Sequence, residues 1–256
     1  MKKLSSNTHL ISSIKTSDIE VLFQLFSKYY DGISYEVFER DFKQKDRVII
    51  IRSHDGIIRG FSTLVCFKIS TGKRDAHIIY SGDTIIDKDF WGTSALTIEF
   101  LKNIIKEKLK NPFGDVWWFL ISKGYKTYLL MAHNFHEFYP RYDRKTPQDK
   151  LDIIQALSER FYPGHFEPAS GLVLFNGEDH DKLKGFVAPI TAEMCERNKH
   201  IDFFNKRNPD WALGNELACI GKVSFSLAIT HPAKVIKKAL KKSLKKSPKR
   251  SSGHAE

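Results

Sequence analysis

His77–Leu101, HIIYSGDTIIDKDFWGTSALTIEFL, decides the fold of this chain. Its first half, to Ile86, is rich in β-branched and aromatic residues and reads as a strand. The loop Asp87-Lys88-Asp89-Phe90-Trp91-Gly92-Thr93-Ser94-Ala95 follows. Leu96, Phe100, Ile104 and Ile105 then recur at helical spacing, which predicts an amphipathic helix over Thr93–Leu109. A helix N-terminus behind small residues offers unpaired amides and the positive end of the helix dipole. Such a terminus suits a pyrophosphate, so the stretch points to a phosphorylated carrier.

The flanking sequence extends the pattern. Residues 8–14 read as a first strand. Ile19, Leu22, Phe23, Phe26 and Tyr30 predict a helix from Thr16 to Tyr30, with Thr16 or Ser17 as its N-cap. A second helix is expected over Ser34–Lys43. Arg47–Ser53 and Ile57–Ile69 form a hairpin about His54-Asp55-Gly56. Ser70–Lys73 turns the chain into the strand Ala76–Ile86. Asn111-Pro112-Phe113-Gly114 ends the long helix, and the nearly all-apolar Asp115–Ser122 reads as an interior strand reached by a crossover. Beyond it, helices are expected over Tyr125–Tyr139 and Thr146–Tyr162. A short strand is expected near Gly171–Phe175, helix over most of Ala188–Asn205, and a last strand or strand pair within Leu217–Ile229.

The order β, α, α, β, β, β, α, β over residues 8–142 resembles the GNAT superfamily of acyl-CoA-dependent acyltransferases. The signature of that family is a Gln/Arg-x-x-Gly-x-Gly/Ala loop between strand four and helix three. The aligned residues here are Asp89-Phe90-Trp91-Gly92-Thr93-Ser94. Gly92 matches; Asp89 stands for Gln/Arg, and Ser94 for Gly/Ala with Ala95 just after it. The resemblance implies an α/β (α+β) fold, a GNAT-like mixed central sheet whose strands four and five splay apart, flanked by helices and followed by a C-terminal elaboration. It divides the chain into a core at 1–144, an elaboration packed on it at 145–231, and a basic tail at 232–256.

The same resemblance implies that pantetheine lies in the gap, along Gly82–Ile86, with the acyl carbonyl near Tyr80, Ser81 and Gly82. Gly82 within a strand fits a bulge or a close backbone approach. Ser81, Gly82, Trp91, Gly92, Thr93, Ser94, Ala95 and Lys123 are the expected carrier-binding residues. Lys126 is a further candidate for the phosphates. Acyl transfer needs a base for the acceptor and an acid for the leaving thiolate. Asp83, set in the apolar run IIYSGDTII, is the candidate base, because desolvation raises a carboxyl pKa. The acid in many family members is a tyrosine in or after helix four. Tyr125, Tyr128, Tyr139 and Tyr142 are available, and Tyr128 is the choice from its distance beyond strand five. The expected co-substrate is acetyl-CoA, a longer acyl-CoA or acyl carrier protein, without a metal.

Composition supports a folded enzyme-sized body. The 256 residues are 41% hydrophobic and 12% aromatic, enough for one core and an appended subdomain. Cys66, Cys195 and Cys219 are too sparse and scattered for a disulfide framework or zinc site. No apolar run is long enough for a transmembrane helix, and MKKLSSNTHLISSIK lacks an apolar segment suited to a secretory signal. A cytoplasmic protein, peripheral at the membrane, is expected.

The net charge of +11 is uneven: Pro232–Glu256 holds eight lysines, one arginine and one glutamate, and the body is left with +3. Ile236, Leu240 and Leu244 lie four apart among those lysines, which reads as a basic amphipathic helix drawn to an anionic membrane surface. An acidic acyl carrier protein would also be attracted. The tail has no aromatic residue for base stacking, which disfavours a nucleic-acid partner. The first reading is therefore an acyltransferase acting on an amine or hydroxyl acceptor, small-molecule or lipid. The alternative is a non-catalytic binding module of the same fold, tethered by its tail.

Overall fold

The computed structural model describes residues 4–70, 75–175, 182–184, 187 and 189–227. The tail at 232–256, with its expected amphipathic helix, lies outside the described residues. Six main strands build one sheet: β1 (Leu4–Leu10), β2 (Arg47–Ser53), β3 (Ile58–Ser70), β4 (Asp75–Ile86), β5 (Asp115–Ser122) and β6 (Glu216–Lys222). They lie side by side in that order, and Leu172–Val173 and Phe166–Glu167 continue the sheet beyond β6. Every main-strand pairing is antiparallel except β4 with β5, which is parallel. The crossover between those two is the long helix α3 (Ala95–Lys110).

Both faces of the sheet are covered, because the central strands are apolar at successive positions. Val48, Ile49, Ile50 and Ile51 are all buried. Ile49 and Ile51 join Leu64, Ile79, Trp118 and Cys219 on one face, under α3 and α4 (Tyr125–Asn134). Val48 and Ile50 join Phe61 and Ile85 on the other, under α1 (Thr16–Ser27) and α2 (Tyr35–Lys43). The same face farther along, with Ile78, Trp117, Phe119 and Ile220, is closed by α5 (Gln148–Phe161). Two short helices, α6 (Ala192–Arg197) and α7 (Lys199–Arg207), follow, and Phe204 of α7 packs under α4. Among the described residues, no helix is long and apolar enough to cross a membrane.

The element order is the one the resemblance implies: two helices after the first strand, a three-strand meander, a loop and helix, and a crossover to a fifth strand. Several local expectations are corrected. Lys15, without a side-chain bond, is the cap of α1, and Thr16 is already helical. Ser34 does cap α2, accepting from Val37 N at 3.4 Å. The helix after β5 stops at Asn134, since Phe138–Tyr139 pairs with Ile220 and Gly221 of β6. The helix expected to run on to Tyr139 is therefore shorter by five residues. The helix expected over Ala188–Asn205 is broken at Asn198, whose extended backbone ends α6 and whose side chain caps α7.

Candidate active site

Strands β4 and β5 are paired from Ala76↔Asp115 to Tyr80↔Phe119, and no farther. Beyond Tyr80 the two strands part. Hydrogen-bonding edges that a parallel sheet would satisfy internally face a gap instead, and open edges of this kind take up an extended ligand. A cavity of about 770 Å³ fills the gap and runs through the sheet, from the start of α3 to the face covered by α1 and α2.

A bulge shapes the β4 wall. Ser62 pairs with Thr84 but Leu64 with Ser81, so Gly82 and Asp83 together oppose Thr63. The extra residue shifts the alternation, which lets Ile85 share a face with the helices covering Phe61. Gly82 is demanded by proximity: a Cβ there would lie 2.6 Å from Thr63 Oγ1. Ser81, on the wall of the gap, accepts a hydrogen bond from Trp118 Nε1 at 2.8 Å. Asp83 is half-buried and lines the cavity.

The loop before α3 is anchored at its start. Tyr29 Oη donates to Asp87 Oδ1 at 3.1 Å and accepts from Lys88 N. Gly92 has φ +76° with open space where a Cβ would stand, so glycine is favoured there for the backbone turn. The first intrahelical bond of α3 runs from Ile98 N to Ser94 O at 2.9 Å, which leaves Ala95, Leu96 and Thr97 amides without a partner inside the helix. Ser94 makes no side-chain cap. Of the loop residues expected to bind a carrier, Trp91 and Gly92 line the cavity, joined by Leu96 and Thr97. Thr93, Ser94 and Ala95 are not in its lining, and the Thr93 hydroxyl is buried without a hydrogen-bond partner among the described residues.

The two lysines after β5 separate. Lys126 Nζ lies 4.1 Å from the centroid of the Trp91 ring and donates to the Val187 carbonyl, so its charge sits beside the loop. Burial lowers its pKa. Lys123 points to the other end, 3.4 Å from Glu216 Oε1 and 5.3 Å from the Tyr30 ring centroid. Trp91 itself is tied down by its Nε1, which donates to Ile86 O at 2.7 Å.

That other end of the cavity holds groups the sequence reading did not select. Glu216, 4% exposed, opens β6 and lines the cavity. The Tyr80 and Tyr162 hydroxyls are 3.1 Å apart. Burial pushes both tyrosine pKa values well up, and the charges of Asp41 and Glu216 push the same way at both. Asp83 adds to the effect at Tyr80. Lys45, nearly buried, pairs with Asp41 at 2.6 Å and lies 5.9 Å from the Tyr80 ring centroid. Three carboxylates, two lysines and a tyrosine pair thus share one chamber. The signal for Glu216 was present as a lone acid opening the apolar run LACI, but its neighbours come from elements far away in the chain.

Tyr128 is elsewhere. It is fully buried among Phe138, Phe203 and Phe204, and its hydroxyl donates to Pro140 O at 3.1 Å. Burial raises its pKa strongly. The side of α4 that lines the cavity presents Lys126, Thr127 and Leu130, whereas Tyr128, the expected acid, is turned into the core and is not in the lining. Among the described residues there is no group of three or more potential metal ligands.

No protein-family model matches the sequence, and no curated protein matches it. Solved structures do. A conserved protein from Enterococcus faecalis V583, named as a probable N-acyltransferase, is 10% identical over 52% of this chain, with a TM-score of 0.38. This chain spans about a third (32%) of that protein's length. An aminoglycoside acetyltransferase from an uncultured soil metagenomic sample is 12% identical, with 57% of this chain and 98% of that one covered and a TM-score of 0.39. A GNAT family N-acetyltransferase from Escherichia coli in complex with CoA is 9% identical, with 53% and 71% covered and a TM-score of 0.37.

Proposed function

We propose that this chain is an acyltransferase that moves an acyl group from a pantetheine thioester to an amine. The observation that carries the reading is the parting of β4 and β5 beyond Tyr80 and Phe119, with a through-going cavity in the gap. The α3 amides and Lys126 suit the phosphates of acetyl-CoA, a longer acyl-CoA or the phosphopantetheine of an acyl carrier protein. The edge of β4 that faces the gap, from Ser81 to Ile85, suits the amides of the pantetheine arm.

The acceptor belongs at the opposite end. An ammonium entering the chamber of Asp41, Asp83 and Glu216 is stabilised there by charge. Glu216 or Asp83 takes a proton from the ammonium, and the neutral amine, its lone pair freed, then attacks the thioester carbonyl. The C–N bond forms, the C–S bond breaks, and the thiolate leaves with the electron pair. The thiolate then takes up the second proton, which the nitrogen gives up as the amide forms. The Tyr80–Tyr162 pair, kept protonated by burial, supplies hydrogen-bond donors next to these groups.

The test is thermal unfolding with acetyl-CoA, long-chain acyl-CoA and acyl carrier protein, followed by free-thiol release with a panel of amines. Stabilisation by a thioester and amine-dependent thiol release are expected. No stabilisation by any of the three overturns the reading. One observation favours a second reading, a binding module without turnover: the Trp91 indole occupies the Ile86 carbonyl at the edge where pantetheine would bind. Stabilisation without thiol release, unaffected by Glu216→Gln and Asp83→Asn, would select it.

A further inference from the structure

The end of the sheet away from the cleft exposes an apolar tip. Phe113, in the turn between α3 and β5, is 99% exposed; Leu109, in the last turn of α3, is 62% exposed; and Phe225, just after β6, is 44% exposed. Lys108 lies between the Phe113-Gly114 turn and Phe225. Its Nζ donates to Gly114 O at 2.8 Å and lies 5.5 Å from the Phe225 ring centroid. Val223 N donates to Val116 O at 2.8 Å, which holds the two segments side by side.

The charge around this tip is basic. Lys106, Lys108 and Lys110 flank Leu109 on α3. The carboxylates close by already have basic partners: Glu107 is buried against Arg47 and Lys110, and Asp115 pairs with Lys222. The chain then continues, a few residues past Phe225, into the segment with eight lysines after Pro232. Protruding aromatic and aliphatic side chains ringed by lysines match the interfacial layer of an anionic bilayer, where apolar groups enter the acyl boundary and ammonium groups meet phosphates.

We propose that Leu109, Phe113 and Phe225 form a membrane-contacting tip that inserts into anionic lipid while the lysines of α3 hold the headgroups. The sixteen residues of α3 separate this tip from the cleft by about 24 Å. The seat therefore sets where the protein works, and the cleft opens away from the lipid toward soluble donor and acceptor. This proposal does not depend on acyl transfer.

The test uses the full chain and vesicles of phosphatidylcholine with and without phosphatidylglycerol, at several ionic strengths. Binding is expected only with phosphatidylglycerol and is expected to weaken with salt. A Leu109→Ser/Phe113→Ser double variant should bind about tenfold more weakly or worse, because the inserted apolar area is gone. Deleting 232–256 should weaken binding further without removing the effect of the double variant. Brominated lipid should quench emission from Phe113→Trp beyond that of the parent protein. Both residues are exposed and outside the cavity, so thioester stabilisation should be unchanged in the double variant. Vesicle binding within twofold of the parent, or no added quenching, overturns the proposal. So does a chain that ignores these vesicles and binds nucleic acid or an acidic protein through the same tip.

Discussion

Trp118 Nε1 donates to Ser81 Oγ across the point where β4 and β5 part, at 2.8 Å. The two residues sit one step either side of the last backbone pair, Tyr80↔Phe119. The side-chain bond ties the two strands together at the apex of the cleft, just where backbone pairing ends. Ser81→Ala leaves a buried indole N–H without its partner. The expected loss is about 1–3 kcal/mol of stability, read by urea denaturation. Thioester affinity should fall with it; unchanged stability would show that the bond does not hold the apex.

Gly82→Ala is expected to destabilise by about 1–3 kcal/mol through overpacking, because the added methyl meets Thr63 Oγ1 at 2.6 Å. That hydroxyl is buried without a hydrogen-bond partner among the described residues. Thr63→Ala removes it, so the double variant Thr63→Ala/Gly82→Ala should recover most of the loss. A double-mutant cycle with no coupling would place the strain elsewhere.

The end of the cavity proposed for the phosphates can be probed separately. Lys126→Ala should weaken binding of CoA thioesters, and the difference from the parent should shrink as salt rises. Lys126→Arg should retain more of the affinity. Lys123→Ala should leave the phosphate contribution intact and instead alter acceptor KM, since Lys123 pairs with Glu216 at the other end. Equal effects of both alanine variants on donor affinity would contradict this division.

Stability should decline on mild acidification. Burial lowers the pKa of His77 and of His200, the latter helped by the charges of His133 and Arg141. The folded values lie below the unfolded one, near 6.5. Between the two values the unfolded chain holds more protons, so stability falls as the pH drops through about 6.5 toward the folded values. Glu107 adds a lower window. Burial raises its pKa, but hydrogen bonds from Arg47 and Lys110 outweigh that and leave it lowered. Its contribution is present above the unfolded value of about 4.3 and is lost as the pH falls through the folded one. Melting temperature against pH should show both steps, and His77→Gln/His200→Gln should flatten the upper one.

The sheet was legible because its signals are local. The Gly56 turn, the double-faced run VIII and the glycine inside β4 each reveal their surroundings through adjacent residues. The chamber was not legible, because it is assembled by register. Glu216 reaches the cavity only because Leu217 pairs with Ser122, and Tyr162 meets Tyr80 only because α5 packs beneath β4 and β6. Tyr128 shows the opposite failure. Its spacing from β5 was right for a cleft residue, but a shift of one position around α4 separates Thr127, on the cavity, from Tyr128, in the core.

That rotation gives a paired prediction for catalysis. Glu216→Gln keeps the size of the side chain but cannot accept a proton from the acceptor. If Glu216 is the base, kcat should fall about 10²- to 10⁴-fold while thioester affinity stays the same. Asp83→Asn should then have the smaller effect, and the reverse order would assign the base to the bulge. Tyr128→Phe should leave kcat within twofold and lower stability by about 1 kcal/mol, the worth of one hydrogen bond to Pro140 O. A large fall in kcat for Tyr128→Phe, with stability unchanged, would mean that α4 turns its tyrosine into the cleft during turnover.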